Sequence, residues 1–408
     1  MSERSVGLGE IARVFLKIGA MSYGGPAIMG IMQTEIQEKR QWVEKPQFVE
    51  GLALVNMLPG PGATQLGIYL GHARARLAGG IVAGLCFILP AFLIMLVLTA
   101  AYVAFGALPS ARNAFYGIGP IVVGIFAVSI YRLGKGTIKD VAQIAIALAV
   151  AAVMLLARVG IILPLLAAGF IGIALFHSRR IGIIALFALA VLSGLYYASD
   201  ILLAKWSIAA PDMTPRSSPM PPSLWQLGIF FFKVGAFTFG GGLSMLAFIQ
   251  EQVVNQLGWL TPRELVDGLA LGQLTPGPIL MLAAFVGFKV AGIAGAAVAG
   301  AAIFLPSFLM ILSILPLLSK TKDLRWLKGF MRGVGPAVIG ALAASLVQMA
   351  PHAAPDRFTA VLFGLTVVLL LLSKAGPLSL IFGGALVGVL SMGKAWERIH
   401  DISRMLPI

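Results

Sequence analysis

The chain has 408 residues, of which 59% are hydrophobic and 11% are charged. Its mean hydropathy is +0.95, and soluble domains carry about 25% charged residues, so this composition excludes a soluble globular protein. Apolar runs of roughly 18 residues or more recur along the chain, each long enough to cross a bilayer of about 30 Å. The short alternating segments of a membrane β-barrel are absent. The sequence predicts an all-α polytopic membrane protein.

Lysines and arginines number 30 against 16 acidic residues, which gives a formal charge of +14. In a membrane protein this excess indicates loop residues that set orientation and contact anionic lipid headgroups. Attraction of an anionic substrate is a second interpretation, and neither needs a nucleic-acid partner. One cysteine, Cys86, excludes an internal disulfide. The few histidines are scattered at segment ends, so we expect no metal site, no cofactor and no cleaved signal peptide.

The predicted apolar segments of the first part lie at 10–32, 47–70, 78–104, 113–132, 139–157, 159–176 and 181–198. A polar stretch with five prolines, at 211–223, has the composition of a linker. The segments after it lie at 224–249, 265–286, 289–316, 326–349, 358–373 and 376–391. We divide the chain into a first repeat (1–178), an extra helix with the linker (179–223), a second repeat (224–393) and a charged, interfacial tail (394–408).

The two sides of the linker repeat each other in order and spacing. LKIGAMSYGGP at 16–26 matches FKVGAFTFGGG at 232–242, and EGLALVNMLPGP at 50–61 matches DGLALGQLTPGP at 267–278. The blocks at 87–92 and 117–124 likewise match those at 303–308 and 333–340. Such a series indicates an internal duplication, with six segments in each repeat and one extra helix between them.

Seven crossings before the second repeat would place that repeat upside down relative to the first, an arrangement common in transporters. We therefore expect inverted repeats, with thirteen crossings and the termini on opposite sides. The alternative is that 47–70 and its partner are re-entrant hairpins, which would make the halves parallel. The distribution of basic residues does not decide between the two.

Glycine and proline interrupt two segments in each half. A broken helix is tolerated in a membrane only inside protein or beside an aqueous cavity, and it creates a helix N-terminus that attracts anions. Paired breaks are a sequence signature of a transport site, whereas isolated glycines favour tight helix packing instead. The prolines suit the first turn of a restarted helix, and hydroxyls can cap it or contact a ligand. The candidate substrate-binding residues at the breaks are Ser22, Gly24, Gly25, Pro26, Pro59, Gly60, Pro61, Thr238, Gly240, Gly241, Thr275, Pro276, Gly277 and Pro278.

Basic residues precede the first break of each half, Arg13 and Lys17 in the first half and Lys233 in the second. Lys17 and Lys233 are equivalent in the repeat and are candidate ligands of a small dianion, because intramembrane cations are costly and often functional. Arg13 is a candidate for anion attraction, although snorkelling to the interface explains it as well. Asn56 and Gln273 immediately precede the PGP turns and are candidate hydrogen-bond donors to an oxyanion.

Four carboxylates flank the same segments: Glu35, Glu50, Glu251 and Asp267. A carboxylate withdrawn from water has a raised pKa and exchanges protons more readily. These residues are therefore the candidates for proton coupling, with helix-end solvation or ion pairing as the alternative.

The repeated GGP and PGP blocks, the proline-rich linker and the duplicated length resemble the chromate ion transporter family in its long, two-domain form. The resemblance covers nearly the whole chain. It implies export of chromate from the bacterial cytoplasm by a secondary transporter that uses the proton motive force, with oppositely oriented halves. The family glycines and prolines fall on the GGP and PGP positions named above. Gly242 stands where the first half has Pro26, so the second break departs from exact symmetry.

Three other functions remain to be weighed. The residues by themselves predict a small oxyanion, so a transporter of sulfate or another oxyanion is the first alternative. A passive anion channel or a lipid scramblase is the second. A membrane enzyme is disfavoured, because no nucleotide loop, cofactor motif or metal cluster appears. The expected partners are the oxyanion, the bilayer and, as a candidate, a second copy of the chain in a homodimer.

Overall fold

The computed structural model describes residues 7–22, 25–157, 160–207, 222–239, 242–314, 325–373 and 376–405. The described residues are almost entirely helical and contain no β-strand. The prediction of an all-α protein is therefore confirmed. Most of the 211–223 linker and the Gly24, Gly240 and Gly241 positions lie outside the described residues.

Eight α-helices precede the linker: α1 (Leu8–Met21), α2 (Gly25–Met32), α3 (Lys45–Met57), α4 (Gly62–Phe105), α5 (Pro109–Thr137), α6 (Val141–Leu156), α7 (Ile162–Phe176) and α8 (Arg179–Ser207). Seven follow it: α9 (Leu224–Ala236), α10 (Ser244–Phe248), α11 (Pro262–Leu274), α12 (Leu282–Ile314), α13 (Arg325–Ala353), α14 (Arg357–Leu372) and α15 (Pro377–Met405). Helices α2 and α10 continue into π-helical turns, Gln33–Lys39 and Ile249–Gln256.

The helices on the two sides of the first glycine break form a hairpin. Helix α1 ends at Met21, and α2 begins at Gly25 and runs back along it. Arg40 Nη1 lies 3.1 Å from Glu10 Oε1, and Lys17 Nζ lies 3.9 Å from Glu35 Oε1, which fixes the antiparallel pairing. The prediction of one segment over 10–32 is wrong, because the break reverses the chain instead of kinking a single helix.

The PGP phrases form similar tips. Helix α3 and the first arm of α4 (62–74) pack antiparallel, and Tyr69 Oη lies 3.2 Å from the Gln47 carbonyl. Helix α11 and the first arm of α12 (282–290) repeat this arrangement, with Lys289 Nζ 2.8 Å from Glu264 Oε1. The single segments predicted at 47–70 and 265–286 are therefore hairpins of two short helices. An α3 of 13 residues is about 20 Å long, too short to cross the hydrocarbon core alone.

Each of α4 and α12 turns sharply once more. Non-helical backbone at Ala75 and Arg76, and at Ala291 and Gly292, folds a second arm (77–105 and 293–314) back on the first. The second arms of the two halves pack against each other. Phe308 contacts Gly84, and Phe92 contacts Gly300 in the equivalent place, so these arms run antiparallel.

The remaining helices are exchanged between the halves. Helix α5 of the first half packs on α14 and α15, whereas its counterpart α13 packs on α6 and α7. Small residues permit this close approach: Gly117 meets Gly388 in one interface, and the equivalent Gly333 meets Gly172 in the other. Capping aspartates repeat as well, since Asp140 begins α6 and Asp356 begins α14. The buried core therefore extends through both halves.

Four helical segments of the described chain are long and apolar enough to cross a membrane: Gly62–Phe105, Pro109–Thr137, Ile279–Ser313 and Arg325–Ala353. The extra helix predicted at 181–198 is present as α8 and packs on α7. Helix α15 continues without interruption into the predicted tail as far as Met405. The segments at 47–70 and 265–286 have the hairpin form that the sequence left open as the alternative to full crossings.

Candidate functional site

The two PGP tips contact residues just after α9 and α1, and each of these two contacts joins the two halves. In junction A, the PGP tip of the first half contacts the second: the Gly60 N–H donates to the Thr238 carbonyl at 2.5 Å. In junction B, the Gly277 N–H of the second half donates to the Ser22 carbonyl at 2.6 Å. The two hydrogen bonds are equivalent under the repeat. The structure thus brings each PGP phrase to the residue that precedes the glycine break of the other half.

Glycine is required at these tips by backbone geometry. The φ angles of Gly60 and Gly277 are +124° and +95°, values that residues with a Cβ rarely adopt. Gly242 has a φ of +101°, which proline cannot reach. The second GGG break therefore has a backbone different from that of the first, in which Pro26 lies in the opening turn of α2. This agrees with the departure from symmetry expected at Gly242.

Junction A is lined by buried polar side chains. Gln65 donates its Nε2 to the Pro59 carbonyl at 2.6 Å, and a Cβ placed on Gly60 would lie 3.0 Å from Ser307 Oγ. Thr64 lies in the same first turn of α4, and all three side chains are fully buried. Within the described part of the chain, Thr64 Oγ1, Gln65 Oε1 and Ser307 Oγ have no hydrogen-bond partner. Such atoms are costly and point to a missing partner.

Junction B is apolar at the corresponding positions. Ala91 replaces Ser307 and would lie 2.9 Å from a Cβ on Gly277. The turn that follows Pro278 reads Leu280, Met281 and Leu282, where the first half has Thr64 and Gln65. The only orphaned side-chain atoms at the two described junctions are therefore in junction A.

The predicted hydroxyls are already engaged. Ser22, Thr238 and Thr275 donate to the carbonyls of Ile18, Val234 and Leu271 at 2.5, 2.6 and 2.8 Å. Each thus closes the helix before the break, because the last carbonyls of a helix lack backbone partners. The expectation that they cap the following helix is wrong. Pro61 and Pro278 lie one residue before the restarted turn and not within it.

The predicted cations lie away from the tips. Lys17 is 60% exposed and pairs with Glu35, and Lys233 and Arg13 are exposed on α9 and α1. Asn56 is exposed too, and lines a cavity of about 240 Å³ with Lys328 and Arg332. Gln273 is half-buried near the end of α11. Contact between these residues and the substrate stays a prediction, and the geometry of the two junctions does not support it.

The four predicted carboxylates differ sharply in surroundings. Glu50 is exposed, and Glu251 is 5% exposed and accepts hydrogen bonds from Asn255 and Gln256. Asp267 is 7% exposed, and its Oδ2 accepts a hydrogen bond of 2.8 Å from Tyr102. Asp267 thus bridges α11 of the second half to the second arm of α4 in the first.

Glu35 is held by three cations, Lys17, Lys39 and Arg40, at 3.9, 3.3 and 3.5 Å. Partial burial raises the pKa of the Glu35 carboxyl, but the hydrogen bond from Lys39 and the positive charges outweigh burial and leave the pKa below its ordinary value. This carboxylate is thereby stabilised in its charged form.

Sequence reasoning missed Thr64, Gln65 and Ser307. A signal was present: Thr64 and Gln65 interrupt an otherwise apolar run directly after PGP, and the repeat has Leu or Met there. Ser307 likewise stands opposite Ala91 in otherwise matching blocks. A comparison that looks only for matching positions in the two repeats overlooks positions at which one repeat alone is polar.

Comparisons with known proteins agree with this architecture. The family described as "Chromate transporter" matches twice, at residues 9–173 and 225–389. The chromate transport protein of Cupriavidus metallidurans is 36% identical over 94% of this chain and 93% of its own length. A probable chromate transport protein of Synechococcus elongatus is 33% identical over 86% of each chain, and a chromate transport protein of Pseudomonas aeruginosa is 29% identical over 86% of this chain and 83% of its own. No solved structure matches the chain.

Proposed function

Because this chain belongs to the chromate transporter family, we propose that it is a secondary active transporter that exports chromate across the bacterial cytoplasmic membrane, driven by the proton motive force. Its family homologues are multi-pass membrane transporters and not enzymes. The observation that carries the proposal is the pair of inter-half hydrogen bonds at the tips, Gly60 to Thr238 and Gly277 to Ser22. Breaking and remaking such contacts is how two related halves alternate access.

Inverted halves are part of the proposal. The equivalent second arms of α4 and α12 pack antiparallel through matching Gly84–Phe308 and Gly300–Phe92 contacts, which supports a two-fold axis perpendicular to them. If both hairpins return to the side that they enter, the crossings before the linker are the second arm of α4 and helices α5 to α8. That number is odd, so the second repeat begins on the opposite side. The division at 1–178, 179–223, 224–393 and 394–408 fits this scheme.

We place substrate binding at the tips, and foremost at junction A. Glycine N–H groups there, such as that of Gly60, and the first turn of α4 suit a small oxyanion. Helix α4 begins there without a side chain that caps it, so the N–H groups of its first turn remain for a ligand. Lys17 and Lys233, predicted as ligands, are proposed here to draw the anion to the protein surface, the role that was predicted for Arg13.

Proton coupling is assigned foremost to Asp267. An ionisable residue shielded from water inside a membrane bundle is a functional candidate by default. Its hydrogen bond to Tyr102 joins the two halves, so a change of its charge acts directly on their contact. Glu35, Glu50 and Glu251 stay as further candidates, of which Glu35 is the most firmly ion-paired.

The test is uptake of radiolabelled chromate into everted membrane vesicles, with and without a proton gradient and with sulfate as competitor. We expect gradient-dependent accumulation above the equilibrium level. Equilibration without accumulation would identify a passive channel, and labelled sulfate accumulating in place of chromate would identify a sulfate transporter.

Chemical cross-linking of the purified protein, with its single cysteine, Cys86, left unmodified, would show whether the chain forms a homodimer.

A further inference from the structure

We infer that junction A is built for a tetrahedral oxyanion that retains one proton, so that hydrogen chromate is preferred over sulfate at this site. The inference rests on the proposed function and specifies the chemical form of its substrate. It follows from the mixture of donors and one acceptor that junction A buries without partners, a mixture that the described residues of junction B do not contain.

The acceptor is the amide oxygen of Gln65. The amide nitrogen Nε2 lies 2.6 Å from the Pro59 carbonyl oxygen. A carbonyl oxygen only accepts hydrogen bonds, so the amide atom beside it has to be the nitrogen. The orientation of the amide is thereby fixed, and Oε1 faces away from Pro59, fully buried and without a donor in the described chain. A ligand that satisfies Oε1 must bring its own hydrogen.

One donor, Ser307, lies beside Gly60, and a second, Thr64, lies in the first turn of α4 that follows the tip. The hydroxyls of Thr64 and Ser307 are buried and free to donate, because neither makes a hydrogen bond in the described structure. The Gly60 N–H is bonded to the Thr238 carbonyl across the halves. An anion that enters as the tips separate replaces this carbonyl as the partner of Gly60. The tip then offers two hydroxyls and a backbone N–H to oxyanion oxygens, and Oε1 to an O–H.

The chemistry of the two anions differs in one proton. Sulfate carries no proton anywhere near neutral pH, whereas chromate is present there both as the dianion and as hydrogen chromate. With sulfate bound, Oε1 faces another acceptor and stays unpaired in a dry site, which costs binding free energy. With hydrogen chromate bound, the O–H of the ligand pairs with Oε1. Sites that hydrogen-bond a substrate hydroxyl reject analogues lacking it far more strongly than apolar pockets do.

A buried water molecule is the competing occupant, since waters commonly satisfy orphaned polar atoms. Water would place no demand on the identity of the anion. An anion and a water molecule at this site are therefore distinguished by the selectivity of the protein between chromate and sulfate, and not by protein stability alone.

The experiment measures equilibrium binding of radiolabelled chromate to the purified full-length protein, with unlabelled sulfate as competitor, over a pH series through neutrality. We expect wild-type binding to weaken as pH rises and hydrogen chromate is lost, and sulfate to compete at least tenfold less well. Gln65→Leu removes the acceptor and copies the apolar residue of the second half. It should weaken chromate binding about tenfold on the acidic side of the series, and flatten the pH dependence, as expected for one lost hydrogen bond to a charged ligand.

Ser307→Ala removes a donor and should weaken both anions by a similar factor, and Ala91→Ser, its mirror change at junction B, is the matched control, with affinity within about twofold of wild type. Wild-type protein that binds both anions equally, with no pH dependence, overturns the inference even if a variant fails to fold. A Gln65→Leu protein with full selectivity also overturns it and identifies the occupant as water only. Wild-type protein that neither transports nor binds chromate overturns the proposed function itself.

Discussion

Junctions A and B share a backbone and differ in their side chains. In both, a glycine with positive φ donates its N–H across the halves, and both halves supply a hydroxyl that closes the preceding helix. Junction A adds Thr64, Gln65 and Ser307, whereas junction B has leucine, methionine and alanine in their places. The duplication thus preserves the same tip contact twice, while among the described residues of the two junctions only those of junction A include buried polar side-chain atoms without a partner.

Changes to the shared backbone should have the largest effect and should not distinguish the junctions. Gly60→Ala and Gly277→Ala each place a Cβ at positive φ, where strain costs about 1–3 kcal/mol, and against Ser307 or Ala91. We expect each variant to lose more than tenfold in chromate uptake. Uptake and melting temperature in detergent measure this, with Gly136→Ala, whose Cβ meets nothing within 4 Å, as control. Wild-type uptake by either variant would mean that the backbone conformation of the tip glycine is not needed for transport.

The next largest effect concerns the carboxylates that correspond in the two halves. Asp267→Asn keeps the shape of the side chain and its contact with Tyr102, but an amide cannot take up and release a proton as a carboxyl group does. Gradient-driven uptake should therefore fall about tenfold, while passive exchange persists. Glu50→Gln, at the exposed equivalent position, should change uptake less than twofold. The measurement compares both variants in vesicles with imposed pH gradients. Equal losses in both would remove the assignment of coupling to Asp267.

A smaller effect is expected from the hydroxyls that close the helices. Ser22→Ala and Thr238→Val lose one local hydrogen bond each, worth about 0.5–1.5 kcal/mol, so we expect a lower melting temperature and about a twofold loss of chromate affinity. Neither should alter the selectivity between chromate and sulfate, because both hydroxyls already donate to carbonyls. A loss of selectivity in Thr238→Val would extend the ligand site to the second half of junction A.

The smallest effect should come from Glu35. Its pKa lies below the ordinary 4.5, so its charged form stabilises the folded protein above that pH, and this stabilisation is lost as pH falls through the lowered pKa. Glu35→Gln should therefore reduce the free energy of unfolding by about 0.2–1 kcal/mol at neutral pH, as for exposed ion pairs, and by less as pH falls through the lowered pKa. A larger difference at pH 3 than at pH 7 would contradict the ion-pair assignment.

Much of the fold could be predicted because duplication and hydropathy are written in the sequence. The matched phrases at 16–26 and 232–242 predicted both the repeat and the breaks. The reversal of the chain at each break could not be read from them, because a Gly-Pro interruption permits a kink or a hairpin equally. Only tertiary contacts such as Lys289–Glu264 decide between these.

The sequence allowed the glycine positions of the candidate site to be proposed, but not its polar side chains. The effects of glycine and proline on the φ angle are known from residue type alone, so Gly60 and Gly277 could be proposed from the sequence. The direction of a hydroxyl is set by whichever free carbonyl lies nearest, and for Ser22 and Thr275 that is the helix behind them. Ser307 lies far from PGP in sequence, and only the antiparallel packing of α4 on α12 brings it to Gly60.

The most direct test of the account is to locate chromium itself. Anomalous difference density, measured at the chromium absorption edge from crystals of the protein grown with chromate, would place the anion without reference to any variant. The account predicts one peak in junction A, within hydrogen-bond distance of Thr64, Gln65 and Ser307, and none in junction B. A peak in junction B, or one beside Lys17 or Lys233 with junction A empty, would contradict it.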